Sequence, residues 1–176
     1  MTQEAKTLST NEILDRIFKD PKTKYELTEF EELGKPLDEV VRIYPKIIES
    51  GRDAGKTKYF LKSIVPFSSG KEEVQVYVEE GKASPEEIVR QLWVYKLLHV
   101  YQYKPDELSL EKSVHFGTEV HAKAADIIVY TDNTKQTPKI IIEVKKPKRK
   151  DGIEQLKSYV NTEGSPVGVW SNGSDN

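Results

Sequence analysis

The 176-residue chain contains no cysteine. Disulfides, thiolate zinc sites and cysteine nucleophiles are therefore excluded. Histidine occurs only at His99, His115 and His121, a spacing that forms no metal-ligand pattern. No run of eighteen apolar residues exists, so no membrane-spanning helix is expected. The opening stretch MTQEAKTLSTNEILDR lacks a basic segment followed by an apolar one, so it is not read as a secretory signal. The expected location is cytoplasmic. What remains is a polar chain, 36% hydrophobic and 32% charged, long enough for one domain with a real core and a small annex.

The net charge of -2 conceals a local asymmetry. Residues 139–157 carry seven basic side chains against three acidic ones. Lys146, Lys148, Arg149 and Lys150 form the densest part of this run. Alone it reads as a solvated basic loop. It directly follows an apolar strand bearing an acid and a lysine, and a positive field at such a place suits a polyanionic partner.

Residues 1–9 read as disordered, and residues 10–19 as a short helix capped at Thr10. Residues 20–55 are charged and irregular, with a helix expected around 37–49. Tyr59–Pro66 and Val74–Val78 read as a hairpin turning at Ser68–Lys71. Ser84-Pro85-Glu86-Glu87 is a strong helix start, with a serine N-cap, proline at the first position and glutamate at the third. That helix is expected to reach about residue 100. Strands follow at Leu108–Phe116, Ala125–Thr131 and Lys139–Lys145, with turns near Gly117 and over Asp132–Pro138. A helix over Asp151–Asn161, lined by Ile153, Leu156 and Val160, leads to a last strand at Pro166–Ser171 and a turn at Asn172-Gly173. The expected division is an N-terminal α/β extension, 1–83, and a core, 84–176. The core order αβββαβ predicts a mixed sheet with helices on both faces, its last strand parallel to the one before.

The chemistry centres on Lys139-Ile-Ile-Ile-Glu143-Val-Lys145-Lys146. Side chains two apart on a strand share a face, which places Glu143 beside Lys145 and leaves Ile142 with Val144. An acid and a lysine are costly to bury for packing alone. Taken in isolation they read as an exposed pair on an edge strand, but a second acid, Asp126, opens the apolar run before them. Asp126, then Glu143-x-Lys145, then Gln155-x-x-x-Tyr159, then Gly168-Val-Trp170-Ser-Asn-Gly173 resembles the PD-(D/E)xK nucleases. Within that superfamily the set is similar to the N-terminal nuclease domain of type I restriction enzyme R (HsdR) subunits. The similarity covers roughly residues 84–173. Ala125 stands where the superfamily name has proline, and residues 1–83 match no known pattern.

The resemblance implies an α/β (α+β) restriction-endonuclease-like core and a Mg²⁺-dependent DNA endonuclease, with Mn²⁺ as a substitute. Asp126 and Glu143 suit metal ligation because adjacent strands bring facing side chains within about 5 Å. The superfamily pattern adds the Val144 carbonyl as a third oxygen ligand. Lys145 would orient or activate the attacking water and stabilise negative charge. Gln155 and Tyr159 share a helix face and would support Lys145 or hold phosphate, or else serve as ordinary packing residues. Glu87 has two readings, a further metal ligand or the third residue of a capping box. The run Ser50-Gly-Arg-Asp-Ala-Gly-Lys-Thr57 imitates a phosphate-binding loop with its first glycine misplaced. Trp93, Tyr95, Tyr101 and Tyr103 read as packing rather than a stacking platform.

The R subunits it resembles carry an ATP-driven translocase after the nuclease and assemble with modification and specificity subunits. This sequence contains no proper nucleotide loop, so ATP would matter only to a downstream motor, and the chain is expected to be a fragment. Two alternatives stay open: a stand-alone nuclease in repair or defence, and a non-catalytic DNA-binding or assembly module on the same fold.

Overall fold

Ser9, not Thr10, caps the first helix, α1 (Thr10–Phe18). Its hydroxyl accepts the Glu12 N–H at 3.2 Å and its own N–H donates to Glu12 Oε2 at 2.8 Å, a reciprocal capping box. Thr10 is occupied elsewhere, donating to the Ile43 carbonyl at 3.0 Å. The computed structural model describes residues 7–19, 24–79, 82–116 and 119–174, and the side chains of 115, 116 and 119–123 are outside that description. The disorder expected for residues 1–9 is corrected for its end, because Leu8 is buried and its N–H donates to Tyr59 Oη at 3.0 Å. Residues 1–6, the turn near Gly117 and the side chains of His115 and His121 lie outside the described residues.

A 3-10 turn over Thr28–Leu33 precedes α2 (Leu37–Val40) and β1 (Ile43–Ile47). The helix expected over 37–49 is thus one turn followed by a strand. Val41 already has extended backbone, and Pro45 has no N–H for a helix to use. β2 (Thr57–Lys62) and β3 (Glu73–Val78) complete an antiparallel sheet ordered β1-β2-β3, with Pro45 tolerated because β1 is an edge. β2 ends before Pro66. The Ser63 N–H still donates across to the Glu72 carbonyl, but its hydroxyl accepts from Gln91 Nε2 and the Ile64 N–H donates to Gln91 Oε1, at 2.9 Å each. The glycine-rich stretch Ser50–Gly55 is the connection from β1 to β2, with Gly55 N–H donating to the Ile48 carbonyl.

Helix α3 (Pro85–His99) follows, with proline at its first turn. Then come β4 (Leu108–Phe116), β5 (Glu119–Tyr130), β6 (Pro138–Val144), α4 (Ile153–Glu163) and β7 (Val167–Ser171). The second sheet is ordered β4-β5-β6-β7, antiparallel except for the parallel pair β6–β7, as the sequence predicts. This is an α+β, restriction-endonuclease-like arrangement with helices on both faces. Leu108, Leu110, Ile127, Val129, Ile142 and Val144 pack in one cluster with α3 and the first sheet. Val114, Ala125, Ile128, Tyr130 and Ile141 pack on the other face with Leu156 and Tyr159 of α4. Ile153, expected on that inner side, is exposed, and α4 starts two residues late, at Ile153 behind its N-cap Gly152. Among the described residues no helix is long and apolar enough to cross a membrane.

One irregularity positions the site. On β4 the residues facing α3 end at Leu110, and Val114 faces α4 although the two are an even number apart. On β5 Ile127 faces α3 while Ala125 faces α4. The alternation of a regular strand therefore inverts at Glu111 and Asp126, which lie opposite each other in the register. Glu111 carries the distortion, with φ at 49°.

Candidate active site

The register of β5 on β6 pairs Ile127 with Ile142, so the next step sets Asp126 against Glu143. Both acids are buried, Asp126 to 8% exposure and Glu143 to 1%. Asp126 Oδ2 accepts the Val144 N–H at 2.7 Å, and Lys145 Nζ donates to Glu143 Oε1 at 2.5 Å. N–H and C=O of one strand residue address the same neighbouring strand, so the Val144 carbonyl also turns toward β5. Burial raises the Glu143 carboxyl above its ordinary range, and the charge of Asp126 raises it further; Lys145 opposes both, and the net result is about 7. Burial pulls the Lys145 ammonium down, but the hydrogen bond and charge of Glu143, with Asp126 and Glu86, outweigh it and the net shift is upward.

Sequence reasoning missed the residue that ties Asp126 to α3. Arg90, 4% exposed, donates through Nη2 to Asp126 Oδ1 at 2.5 Å. Its Nη1 donates to Glu87 Oε2 at 2.5 Å and to Glu111 Oε1 at 3.0 Å. The capping box expected at Glu87 is absent: Ser84 makes no side-chain cap bond, and the Glu87 carboxylate turns to Arg90. Burial raises both Glu86 and Glu87; Asp126 adds to it at Glu86, and Arg90 works against it at Glu87. The i,i+3 spacing of Glu87 and Arg90 was a readable signal. The reach to Glu111 and Asp126 was not.

The loop after β6 borders the two acids. The Lys145 N–H donates to the Ser171 carbonyl at 2.8 Å, extending the β6–β7 pairing. Gly152 caps α4 with φ at 102°, and the Lys145 stem lies against its α-carbon. Gln155 Nε2 donates to Tyr159 Oη at 2.7 Å, and Tyr159 Oη donates to the Ala124 carbonyl at 3.3 Å. The bond described for Gln155 is thus to Tyr159 rather than to Lys145. Tyr159 is fully buried, and burial, then the charge of Glu143, pushes its phenol up to about 12.

Lys146, Lys148, Arg149 and Lys150, on this loop, are exposed. Arg149 is paired bidentately with Asp151, at 2.5 and 2.7 Å, while the Lys148 N–H donates to Tyr25 Oη at 3.1 Å. Tyr25, Pro85, Lys146 and Lys148 line a cavity of about 350 Å³ beside the start of α3. His99 stacks on Tyr95 at 4.1 Å, and Trp93 meets Phe30 edge-on at 6.2 Å, both packing contacts.

Glu143 Oε2 is buried and has no hydrogen-bond partner among the described residues. An orphaned carboxylate oxygen facing a second acid fits a cation held by oxygen ligands. Among the described residues no three His, Cys, Asp or Glu side chains gather as a ready-made cluster. The donor set suits an ion that needs one or two carboxylates and keeps its waters. Residues 85–176, just over half of the chain, match the family described as type I restriction enzyme R protein N terminus. No curated protein matches the chain.

Proposed function

The chain belongs to the family of type I restriction enzyme R protein N termini, and from that membership we propose that it is a Mg²⁺-dependent DNA endonuclease domain of the PD-(D/E)xK type. The observation that carries this reading is the buried pair Asp126–Glu143, with Lys145 on one Glu143 oxygen and the other oxygen orphaned. Asp126, Glu143 and the Val144 carbonyl would hold Mg²⁺ or Mn²⁺. When bound, such an ion acidifies water and neutralises charge on phosphoryl oxygens. Glu87 is assigned to Arg90 instead.

The residues of the chain do the rest. Lys145 is kept protonated by Glu143, so it acts as a fixed donor to the charge that develops on the phosphate. Gly152 leaves room for its stem. Tyr159 and Gln155 fix α4 against β5, which holds the Gly152 turn in place. Lys146, Lys148 and Lys150 supply sequence-independent attraction to the DNA backbone, with Arg149 bracing their loop.

In the full restriction assembly the domain would act in the cytoplasm with modification and specificity subunits, which would choose the site. ATP would serve only a motor domain of the R subunit. Calorimetric titration with Mn²⁺ and Mg²⁺ is the direct test: the 176-residue chain binds, and Glu143→Ala does not. A plasmid-nicking assay is the second. Metal-dependent cleavage that survives Asp126→Ala or Lys145→Ala would overturn the assignment.

A further inference from the structure

Five acids lie around one end of the second sheet: Glu86, Glu87, Glu111, Asp126 and Glu143. Two buried or half-buried cations answer them, Arg90 and Lys145. Lys145 forms its ion pair with Glu143, whereas Arg90 engages three acids at once. Its Nη1 takes Glu87 and Glu111 and its Nη2 takes Asp126. The guanidinium is planar and permanently charged, so it partitions these acids by geometry and does not release them over the working pH range. The Phe67 ring, 5.9 Å from the guanidinium carbon, closes another side of its pocket.

We propose that Arg90 sets how many carboxylates the site offers to a divalent cation, and so makes the site selective for a small ion over a large one. This rests on the metal reading of Asp126 and Glu143 given above. Two of the five acids, Glu87 and Glu111, are turned onto Nη1. Asp126 is shared between Arg90 and the Val144 N–H, and keeps lone pairs for a ligand. A site reduced to two or three oxygens suits Mg²⁺, which wants six-fold geometry and retains waters. Ca²⁺ collects six to eight oxygen ligands and gains most from extra carboxylates. Glu111 reaches this arrangement only because its backbone is inverted, with φ at 49° in the middle of β4. Arg90 is thus a specificity-determining residue that acts through the acids it holds.

The test is titration of the 176-residue chain with MgCl₂ and, separately, CaCl₂, with folding checked by circular dichroism. Arg90→Met frees Glu87 and Glu111, and the ratio of Ca²⁺ to Mg²⁺ affinity rises about tenfold or more. Adding Glu87→Gln and Glu111→Gln to Arg90→Met returns the ratio to that of the wild type. A merely structural role would weaken both ions together, so a folded Arg90→Met chain with an unchanged or lower ratio overturns the proposal. If Arg90→Met does not fold, Arg90→Lys decides, because a single ammonium lacks the planar fork that holds Glu87, Glu111 and Asp126 together: the ratio of Ca²⁺ to Mg²⁺ affinity rises, and an unchanged or lower ratio in the folded variant overturns the proposal. A wild-type chain that binds neither ion overturns this proposal together with the metal reading. A wild type that binds, with no change of ratio in Arg90→Met, overturns this one only.

Discussion

The Lys145 side chain lies across Gly152 so closely that a Cβ built on the glycine would stand 2.4 Å from Lys145 Cε. Gly152 also holds φ at 102°, a conformation that side chains rarely adopt. The position is therefore glycine for two independent reasons. Gly152→Ala is expected to cost about 1–3 kcal/mol of stability through the backbone alone. It also displaces Lys145, and cleavage falls by about 100-fold, the scale of an ångström of misplacement. Thermal unfolding and nicking rates measured on the same preparation separate the two effects.

Tyr25 joins the basic loop to the end of β7. Its Oη accepts the Lys148 N–H at 3.1 Å, donates to the Asn172 carbonyl at 3.2 Å and lies 2.8 Å from Ser174 Oγ. Tyr25→Phe leaves the ring and removes this node. Stability drops by about 1 kcal/mol. Duplex DNA binds more weakly, most visibly at low salt, while Mn²⁺ affinity measured by calorimetry is unchanged. A loss of Mn²⁺ binding would show that the loop supports the acids as well.

The raised Glu143 carboxyl has a consequence for stability in metal-free buffer. Folding lifts this group from its ordinary 4.5 to about 7. Between those values the folded state keeps a proton that the unfolded chain has released, so this contribution to stability is greatest at low pH and is lost as pH rises through the window. Thermal melts in chelator from pH 4.5 to 8 show the decline, and Glu143→Gln flattens it. Added Mn²⁺ stabilises the protein increasingly over the same range, because a cation prefers the ionised form.

Tyr159 is fully buried, and its hydroxyl links Gln155 to the Ala124 carbonyl. Tyr159→Phe keeps the packing and removes both bonds. The expected loss is about 1 kcal/mol in denaturant unfolding. Metal affinity stays within about twofold of the wild type, since neither lost bond is made to Asp126 or Glu143. A large drop in metal affinity would place the phenol among the groups that shape the metal pocket.

Much of this site was legible in period-two patterning. Glu143 and Lys145 share a face, Ile142 and Val144 share the other, and Asp126 opposes Glu143. The start of α3 was legible from Ser84-Pro85, because proline at a first turn carries its own geometry. β1 was hidden by Pro45, which argues against a strand until the strand proves to be an edge. The Arg90 network was hidden for a different reason. It depends on the irregularity at Glu111, whose positive φ no residue-type pattern announces. Ser9 and Thr10 are equally good caps by residue type, and only the bond from Thr10 to Ile43 decides between them.

Asp126 and Glu143 sit on the two strands of a single hairpin, β5–β6. Arg90 meets Asp126 from thirty-six positions away in the chain. Short loops close sooner than long ones during folding. The two negative charges are thus brought together by a local step, and the guanidinium that holds Asp126 arrives by a longer-range one. In the interval Lys145, directly after β6, is the hairpin's own cation paired with these acids, and protons or a divalent ion would relieve the repulsion that remains. The order in which this fold assembles is therefore coupled to the solution conditions in which its chemistry operates.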